Sequence, residues 1–180
     1  ALSDGMGSGE EAARDSEKMM DLLDKFMETG FHMEKATSLL NTMMFLRGAK
    51  ERTLTLDSCE LDLYQGTCRF LKCGAAASFL KRDKKVFKIG ANTLPLGVFA
   101  KTEPEEFVYG VEDGDYIIMM TDGVVDAYES SRSAISLQEF IGQLEYENPR
   151  QMASMLLNMA ITNAGGKVND DMTVIVLGIW

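Results

Sequence analysis

Three aspartates stand at the ends of apolar, strand-like runs, and their side chains could together hold a metal. Asp4 lies in Ser-Asp-Gly-Met-Gly-Ser-Gly, Asp122 in Met-Met-Thr-Asp-Gly-Val, and Asp170 in Asn-Asp-Asp-Met-Thr-Val-Ile-Val. Carboxylate oxygens suit hard cations such as Mg²⁺ and Mn²⁺, and strand ends far apart in sequence can converge. A single Asp-Gly pair is most often only a turn. Three such acids, each beside an apolar run, predict a divalent metal site.

Composition narrows the class of protein. The chain has 180 residues, 46% of them hydrophobic, and a formal net charge of −10. This length suits one globular domain with a buried core, and no window approaches the roughly 20 apolar residues of a membrane span. Because nucleic-acid surfaces and membrane-binding faces need clustered Lys and Arg, the acidic balance excludes both. It fits a cluster of acidic ligands.

The histidine and cysteine content excludes several other kinds of catalytic and metal site. His32 is the single histidine, which excludes zinc-protease signatures and most Ser-His-Asp triads. We expect it to be a partly exposed residue between two helices. The three cysteines (Cys59, Cys68 and Cys73) lack paired Cys-x-x-Cys spacing and indicate reduced thiols in a cytoplasmic setting.

Helical spacing of apolar residues predicts a helical hairpin over about 10–47. The first helix runs from Glu10 to Glu28 and ends at Gly30, and the second runs from about Met33 to Leu46. The buried face expected for the second helix comprises Ala36, Leu39, Leu40, Met43 and Leu46.

From Thr53 the apolar period changes to two, which predicts strands. We expect strands over 53–57 and 61–64, Thr67–Cys73, Ser78–Lys81, Val86–Ile89, Glu106–Tyr109, Tyr116–Met120 and Met172–Ile179, with helices near 136–146 and 150–163. An antiparallel meander is the simplest topology, and the fold class is α+β. Residues 1–3 resemble the end of a strand that begins upstream.

The order of these parts resembles the metal-dependent PPM-type protein serine/threonine phosphatases, most closely their stage II sporulation protein E branch. The matching pieces are Ser3–Gly9, the helical hairpin, Leu56-Asp57, Phe70–Gly74, Leu94–Gly97, Met120–Gly123 and Asp170–Val174. The resemblance implies two stacked antiparallel sheets flanked by helices, in one phosphatase domain over residues 1–180. It also implies a further metal aspartate on strands upstream of Ala1, so the domain is expected to be incomplete at its N-terminus. Ala75-Ala76-Ala77 departs from the family, which often has a proline after the glycine.

By this resemblance, Asp4, Asp122 and Asp170 are the catalytic and metal-binding residues. Asp4 would bridge two divalent cations, Mn²⁺ or Mg²⁺, the Gly5 carbonyl would add a ligand, and Asp171 is a neighbouring candidate. The implied reaction is hydrolysis of phosphoserine or phosphothreonine on a protein. The sporulation-like branch implies a phosphorylated anti-sigma-factor antagonist as substrate, and a cytoplasmic domain anchored to the membrane through segments absent from this chain. A homodimer remains open.

A nucleotide-binding fold and an inactive binding module are the two alternatives to an active phosphatase. Nucleotide-binding folds fit poorly, because Met6 and Ser8 interrupt an Asp-x-Gly-x-Gly motif, and Ile161 replaces the first glycine of a P-loop ending in Gly166-Lys167. A catalytically inactive binding module on the phosphatase fold remains an alternative, which the missing upstream aspartate favours.

Overall fold

A computed structural model describes residues 1–5, 10–47, 53–131, 135–145, 148–166, 168 and 170–180. In these residues the chain forms eight strands and five helices. The strands are β1 (Leu2–Gly5), β2 (Leu54–Asp62), β3 (Thr67–Cys73), β4 (Ser78–Arg82), β5 (Lys85–Ile89), β6 (Glu105–Gly110), β7 (Tyr116–Met120) and β8 (Val174–Gly178). The helices are α1 (Glu10–Glu28), α2 (Met33–Leu46), α3 (Asp122–Glu129), α4 (Leu137–Gln143) and α5 (Pro149–Asn163). The predicted α+β class with two antiparallel sheets is confirmed.

The chain divides into two compact units. Unit 1 comprises Ala1–Asp62, Cys68–Ala75 and Ala91–Tyr109, and unit 2 comprises Leu63–Thr67, Ala76–Gly90 and Gly110–Trp180. Unit 1 carries the sheet of order β1-β2-β3-β6, and unit 2 carries the sheet of order β5-β4-β7-β8. The expected single meander is therefore wrong: β6 returns beside β3, and β7 returns beside β4. Alternation of apolar residues identifies a strand but does not choose its partner, which is why the sequence missed this order.

Unit 1 packs helices α1 and α2 against one face of its sheet. The core joins Met19, Leu23, Met33, Ala36, Leu40 and Met44 of the helices to Leu54, Leu56, Leu71 and Cys73 of the strands. Both helices of the predicted hairpin are confirmed at the expected bounds. The predicted buried face of α2 is partly wrong, because Leu39 and Leu46 are 41% and 75% exposed. The helix buries Thr37 and Asn41 instead, and polar residues of this kind are invisible to a hydrophobic pattern.

Unit 2 packs α3, α4 and α5 against its own sheet. Its core includes Phe79, Ile118, Met120, Val124, Ile141, Met152 and Leu156. Ser136 caps α4 by accepting a hydrogen bond from the Glu139 N–H, while the Glu139 carboxylate accepts one from the Ser136 N–H. Helix α3 was not predicted, because Asp122-Gly123 was interpreted as a turn. None of the described helices is both long and apolar enough to cross a bilayer.

Candidate metal centre

Asp122 is the first residue of α3. The hydrogen bonds of Thr121, called here the threonine clip, fix where this helix begins. Thr121, 6% exposed, precedes the first residue of α3 in extended conformation. Its hydroxyl donates to the Asp171 carbonyl at 2.8 Å and accepts the Thr173 N–H at 2.9 Å. The Thr121 N–H donates to the Thr173 carbonyl at 3.1 Å. One buried side chain therefore joins the end of β7 to the segment that leads into β8.

Gly123 lets this segment approach the start of α3. A Cβ at this position would lie 2.6 Å from the Asp171 carbonyl oxygen and 3.3 Å from the Asp170 Cβ. Any larger residue would push Asp170 away from the helix, so the glycine is required by this close approach. Residues Asp122 and Asp170 are both exposed, and Gly123, which follows Asp122, places both residues at this corner of unit 2.

The corner is crowded with negative charge. Partial desolvation, together with the nearby carboxylates of Asp122, Glu129 and Asp170, raises the pKa of Asp126. Crowding of carboxylates is relieved by a bound cation, and carboxylate oxygens are the donors that Mg²⁺ and Mn²⁺ take. The donor set of Asp122 and Asp170 therefore fits a hard divalent cation.

Asp4 lies inside β1 rather than in the loop after it, which corrects the expectation that the strand ends at Ser3. It pairs with Thr55 of β2, and Leu2 pairs with Asp57. The Asp4 N–H donates to the Thr55 hydroxyl at 3.1 Å. Opposed residues of an antiparallel pair project to the same face, so Asp4 and Asp57 lie on one face of the unit 1 sheet.

A buried ion pair lies on that face. The Lys72 ammonium contacts the Asp57 carboxylate at 2.6 Å, with side-chain exposures of 0% and 2%. Burial lowers the pKa of Lys72, while the charge of Asp57 opposes this effect. Both residues belong to the sequence motifs noted above, but residue type alone gave no sign that they pair.

The predicted ligands divide between the units. Asp4 and Gly5 belong to unit 1, whereas Asp122 and Asp170 belong to unit 2. Among the described residues, no group of three or more His, Cys, Asp or Glu side chains is placed to hold an ion. Convergence of all three aspartates on one pair of cations therefore stays a prediction. The sequence did not identify Thr121 or Gly123 as positioning residues. The only available signal was their place beside Asp122.

Comparison with solved structures shows that this fold is that of PP2C-type phosphatase domains. The structure of the PP2C phosphatase domain and a fragment of the regulatory domain of SpoIIE from Bacillus subtilis matches with a TM-score of 0.86 and 32% identity, over 98% of this chain and 53% of that one. A manganese-presoaked crystal of the phosphatase domain of the same protein matches with a TM-score of 0.64 and 29% identity, over 96% and 73% of the two chains.

The family model for Stage II sporulation protein E (SpoIIE) matches residues 1–180, and the chain belongs to this family. Stage II sporulation protein E of Bacillus subtilis is 33% identical over 180 residues, which are 99% of this chain and 22% of that protein. Phosphoserine phosphatase RsbU of Bacillus subtilis is 22% identical over 98% of this chain and 54% of its own length. The chain thus spans about a fifth of the length of the SpoIIE relative.

Proposed function

We propose that this protein hydrolyses phosphoserine or phosphothreonine on a protein substrate, with its two units acting as one phosphatase domain. The supporting observation is the close approach of Gly123, which follows Asp122, to the Asp170-Asp171 segment, in a chain of the SpoIIE family. The name of the relative RsbU, a phosphoserine phosphatase, supports the same reaction.

Asp4, the Gly5 carbonyl, Asp122 and Asp170 are the proposed ligands of two divalent cations, Mn²⁺ or Mg²⁺. When bound, such a pair activates water and offsets the negative charge of the phosphoryl group. The protein contributes fixed carboxylate positions. Thr121 and Gly123 hold Asp122 and Asp170 together in unit 2, and Thr55 holds Asp4 in β1. A nucleophilic side chain is not needed, and His32 is exposed in the loop between α1 and α2.

The substrate is proposed to be a phosphorylated anti-sigma-factor antagonist, met in the cytoplasm. The family name, that of a sporulation protein, supports a sporulation pathway, and the chain's net charge of −10 does not suit a nucleic-acid substrate. A membrane anchor of the parent protein is proposed to lie in other segments, since none of the described helices could cross a bilayer.

Phosphate release from a phosphoserine peptide tests the proposal. We expect turnover with Mn²⁺, none after EDTA, and a loss of at least about 100-fold in kcat/KM for Asp170→Asn, because a lost ligand weakens cation binding. Asp113→Asn is the matched control, since Asp113 is exposed in the turn before β7. Peptide binding without any metal-dependent release would favour the inactive binding module instead.

A further inference from the structure

A cavity of about 240 Å³ opens in unit 2 beside helix α3. Its buried lining includes Phe79, Tyr128 and Leu137, which are 1%, 5% and 7% exposed. Half-buried Ala77 and Val125 also line the cavity. Exposed Lys88, Glu129 and Ser136 line it as well, so the buried part of the cavity is apolar and its exposed part is polar. Ala77 belongs to the Ala75-Ala76-Ala77 segment at which this sequence departs from its family.

Hydrogen bonds hold the walls of the cavity in place. The Tyr128 hydroxyl donates to the Ile135 carbonyl at 3.0 Å and lies 3.3 Å from the Ser136 carbonyl. The Gln138 amide donates to the Val86 carbonyl at 2.6 Å. These bonds tie α3 and α4 to each other and to β5. A pocket formed before binding loses less conformational freedom when it is occupied.

The cavity lies along the same side of α3 as the candidate metal ligand. Asp122, Val125 and Glu129 are spaced i, i+3 and i+7, which places them on one helical face, and Val125 and Glu129 both line the cavity. With a rise of 1.5 Å per residue, they stand about 4.5 and 10.5 Å along the axis from Asp122. The midpoint of Val125 and Glu129 is about 7.5 Å from Asp122 along the axis. An extended peptide covers about 3.3 Å per residue, so this midpoint corresponds to two or three residues.

The volume and lining indicate what the cavity can accept. Pockets for whole small-molecule ligands are usually about 300–1,000 Å³, whereas an apolar cavity of about 150 Å³ already holds a benzene ring. One large side chain thus fills this space. The carbon surface of Phe79, Val125 and Leu137 favours an aliphatic or aromatic side chain over a charged one.

We propose that this cavity is a specificity subsite that receives an aliphatic or aromatic side chain two or three residues from the phosphoserine of the protein substrate. The inference rests on the proposed phosphatase function, because the active centre at Asp122 sets the distance. It adds a reason for preferring one phosphoprotein over another, which the metal ligands alone do not supply.

Phosphoserine peptides that differ only by Ala, Leu or Phe at each position from −3 to +3 test the subsite. At one position two or three residues from the phosphoserine, we expect Leu or Phe to raise kcat/KM roughly tenfold or more over Ala, mainly through KM. Val125→Phe fills the cavity. In this variant, kcat/KM for the Leu or Phe peptide divided by kcat/KM for the Ala peptide should fall to within about twofold of one. Val108→Phe is the matched control, because Val108 is 56% exposed on β6 in unit 1, and it should keep the ratio.

A second variant tests the subsite even if Val125→Phe does not fold. Ile135→Ala enlarges the cavity while leaving the backbone carbonyl that Tyr128 binds, and it should shift the preferred side chain from Leu toward Phe. Equal kcat/KM for the Ala, Leu and Phe peptides at every position of the wild type would overturn the subsite. The subsite would also be overturned if Val125→Phe lowered kcat/KM equally for p-nitrophenyl phosphate and for the Leu peptide.

Fluorescence anisotropy of the same peptides separates failure of the subsite from failure of the chemistry. If no peptide is hydrolysed, yet the wild type binds the Leu peptide about tenfold more tightly than the Ala peptide and Val125→Phe does not, the cavity is a docking site and the phosphatase proposal fails. If peptides are hydrolysed without any preference in binding or turnover, the subsite proposal fails and the phosphatase proposal stands.

Discussion

At the scale of single residues, the hydroxyl of Thr121 positions the corner that holds Asp122 and Asp170. Thr121→Val keeps the shape of the side chain but leaves the Asp171 carbonyl and the Thr173 N–H without this partner. We expect a loss of about 1–3 kcal/mol in unfolding free energy, measured by urea denaturation. We also expect a higher Mn²⁺ concentration for half-maximal phosphate release. Thr121→Ser keeps the hydroxyl and should behave like the wild type; a Thr121→Val protein with an unchanged Mn²⁺ titration would show that the clip does not position the ligands.

The buried pair of Lys72 and Asp57 gives a second prediction at this scale. Lys72→Met removes the cation that lies 2.6 Å from the buried Asp57 carboxylate, so it should cost about 3–5 kcal/mol of unfolding free energy. Replacing both residues by apolar ones, as in Lys72→Met with Asp57→Leu, should recover most of that loss. Urea denaturation of the two single variants and the double variant measures the coupling. Additive losses would mean that the 2.6 Å contact contributes little.

At the scale of elements, Asn41 ties helix α2 to the segment 97–102. Its side-chain carbonyl accepts the Gly97 N–H and the Thr102 hydroxyl, both at 2.9 Å. Its amide donates to the Phe99 carbonyl at 3.1 Å and lies 3.3 Å from the Ala100 carbonyl. Asn41→Leu should therefore cost about 2–4 kcal/mol of unfolding free energy and expose residues 97–102 to amide hydrogen exchange. Asn41→Asp keeps the acceptor but sets a carboxylate oxygen against the Phe99 and Ala100 carbonyls, so it should also lose stability. Equal exchange in Asn41→Leu and the wild type would contradict this role.

The hairpin of α1 and α2 is the element we expect to regulate metal occupancy. Helix α1 packs on β1, which carries Asp4, and α2 packs on α1. Leu40→Ala opens a gap in this packing, since Leu40 is 1% exposed, whereas Leu39→Ala, at 41% exposure, is a matched control. We expect Leu40→Ala to raise the Mn²⁺ concentration for half-maximal activity more than it changes turnover at saturating Mn²⁺. Overlaid titrations of the two variants and the wild type would show that the hairpin and the metal ligands are uncoupled.

At the scale of the whole molecule, the sequence predicted the elements better than their arrangement. Hydrophobic period gave both helices of the hairpin, which each bury one face, and runs rich in apolar residues gave the bounds of β3 and β7, which are buried along most of their length. It missed α3, because a glycine at position 123 disfavours a helix. The reason for this glycine, its close approach to Asp171, is visible only in the structure. It also misjudged the phase of α2, since Asn41 is buried by hydrogen bonds rather than by an apolar side chain. Strand order depends on long-range pairing, which local pattern does not encode.

The candidate metal centre was likewise predicted only in part from the sequence. The aspartates were predicted from residue type and from their places at the ends of apolar runs, and the structure brings the Asp170-Asp171 segment close to Gly123, the residue after Asp122. No sequence pattern predicted three other features, because they depend on three-dimensional proximity: the role of Thr121, the Lys72–Asp57 pair and the cavity beside α3.

We propose that Asp4 and Asp122 bind the same pair of cations, and a double-mutant cycle of Mn²⁺ binding tests this proposal most directly. Calorimetric titration of the wild type, Asp4→Asn, Asp122→Asn and the double variant gives the binding free energy for each protein. We predict two Mn²⁺ ions per wild-type chain, weakened binding in each single variant, and a double variant that departs from additivity by at least about 0.5 kcal/mol. Strictly additive losses, or an Asp4→Asn isotherm that overlays the wild type, would contradict a shared metal centre.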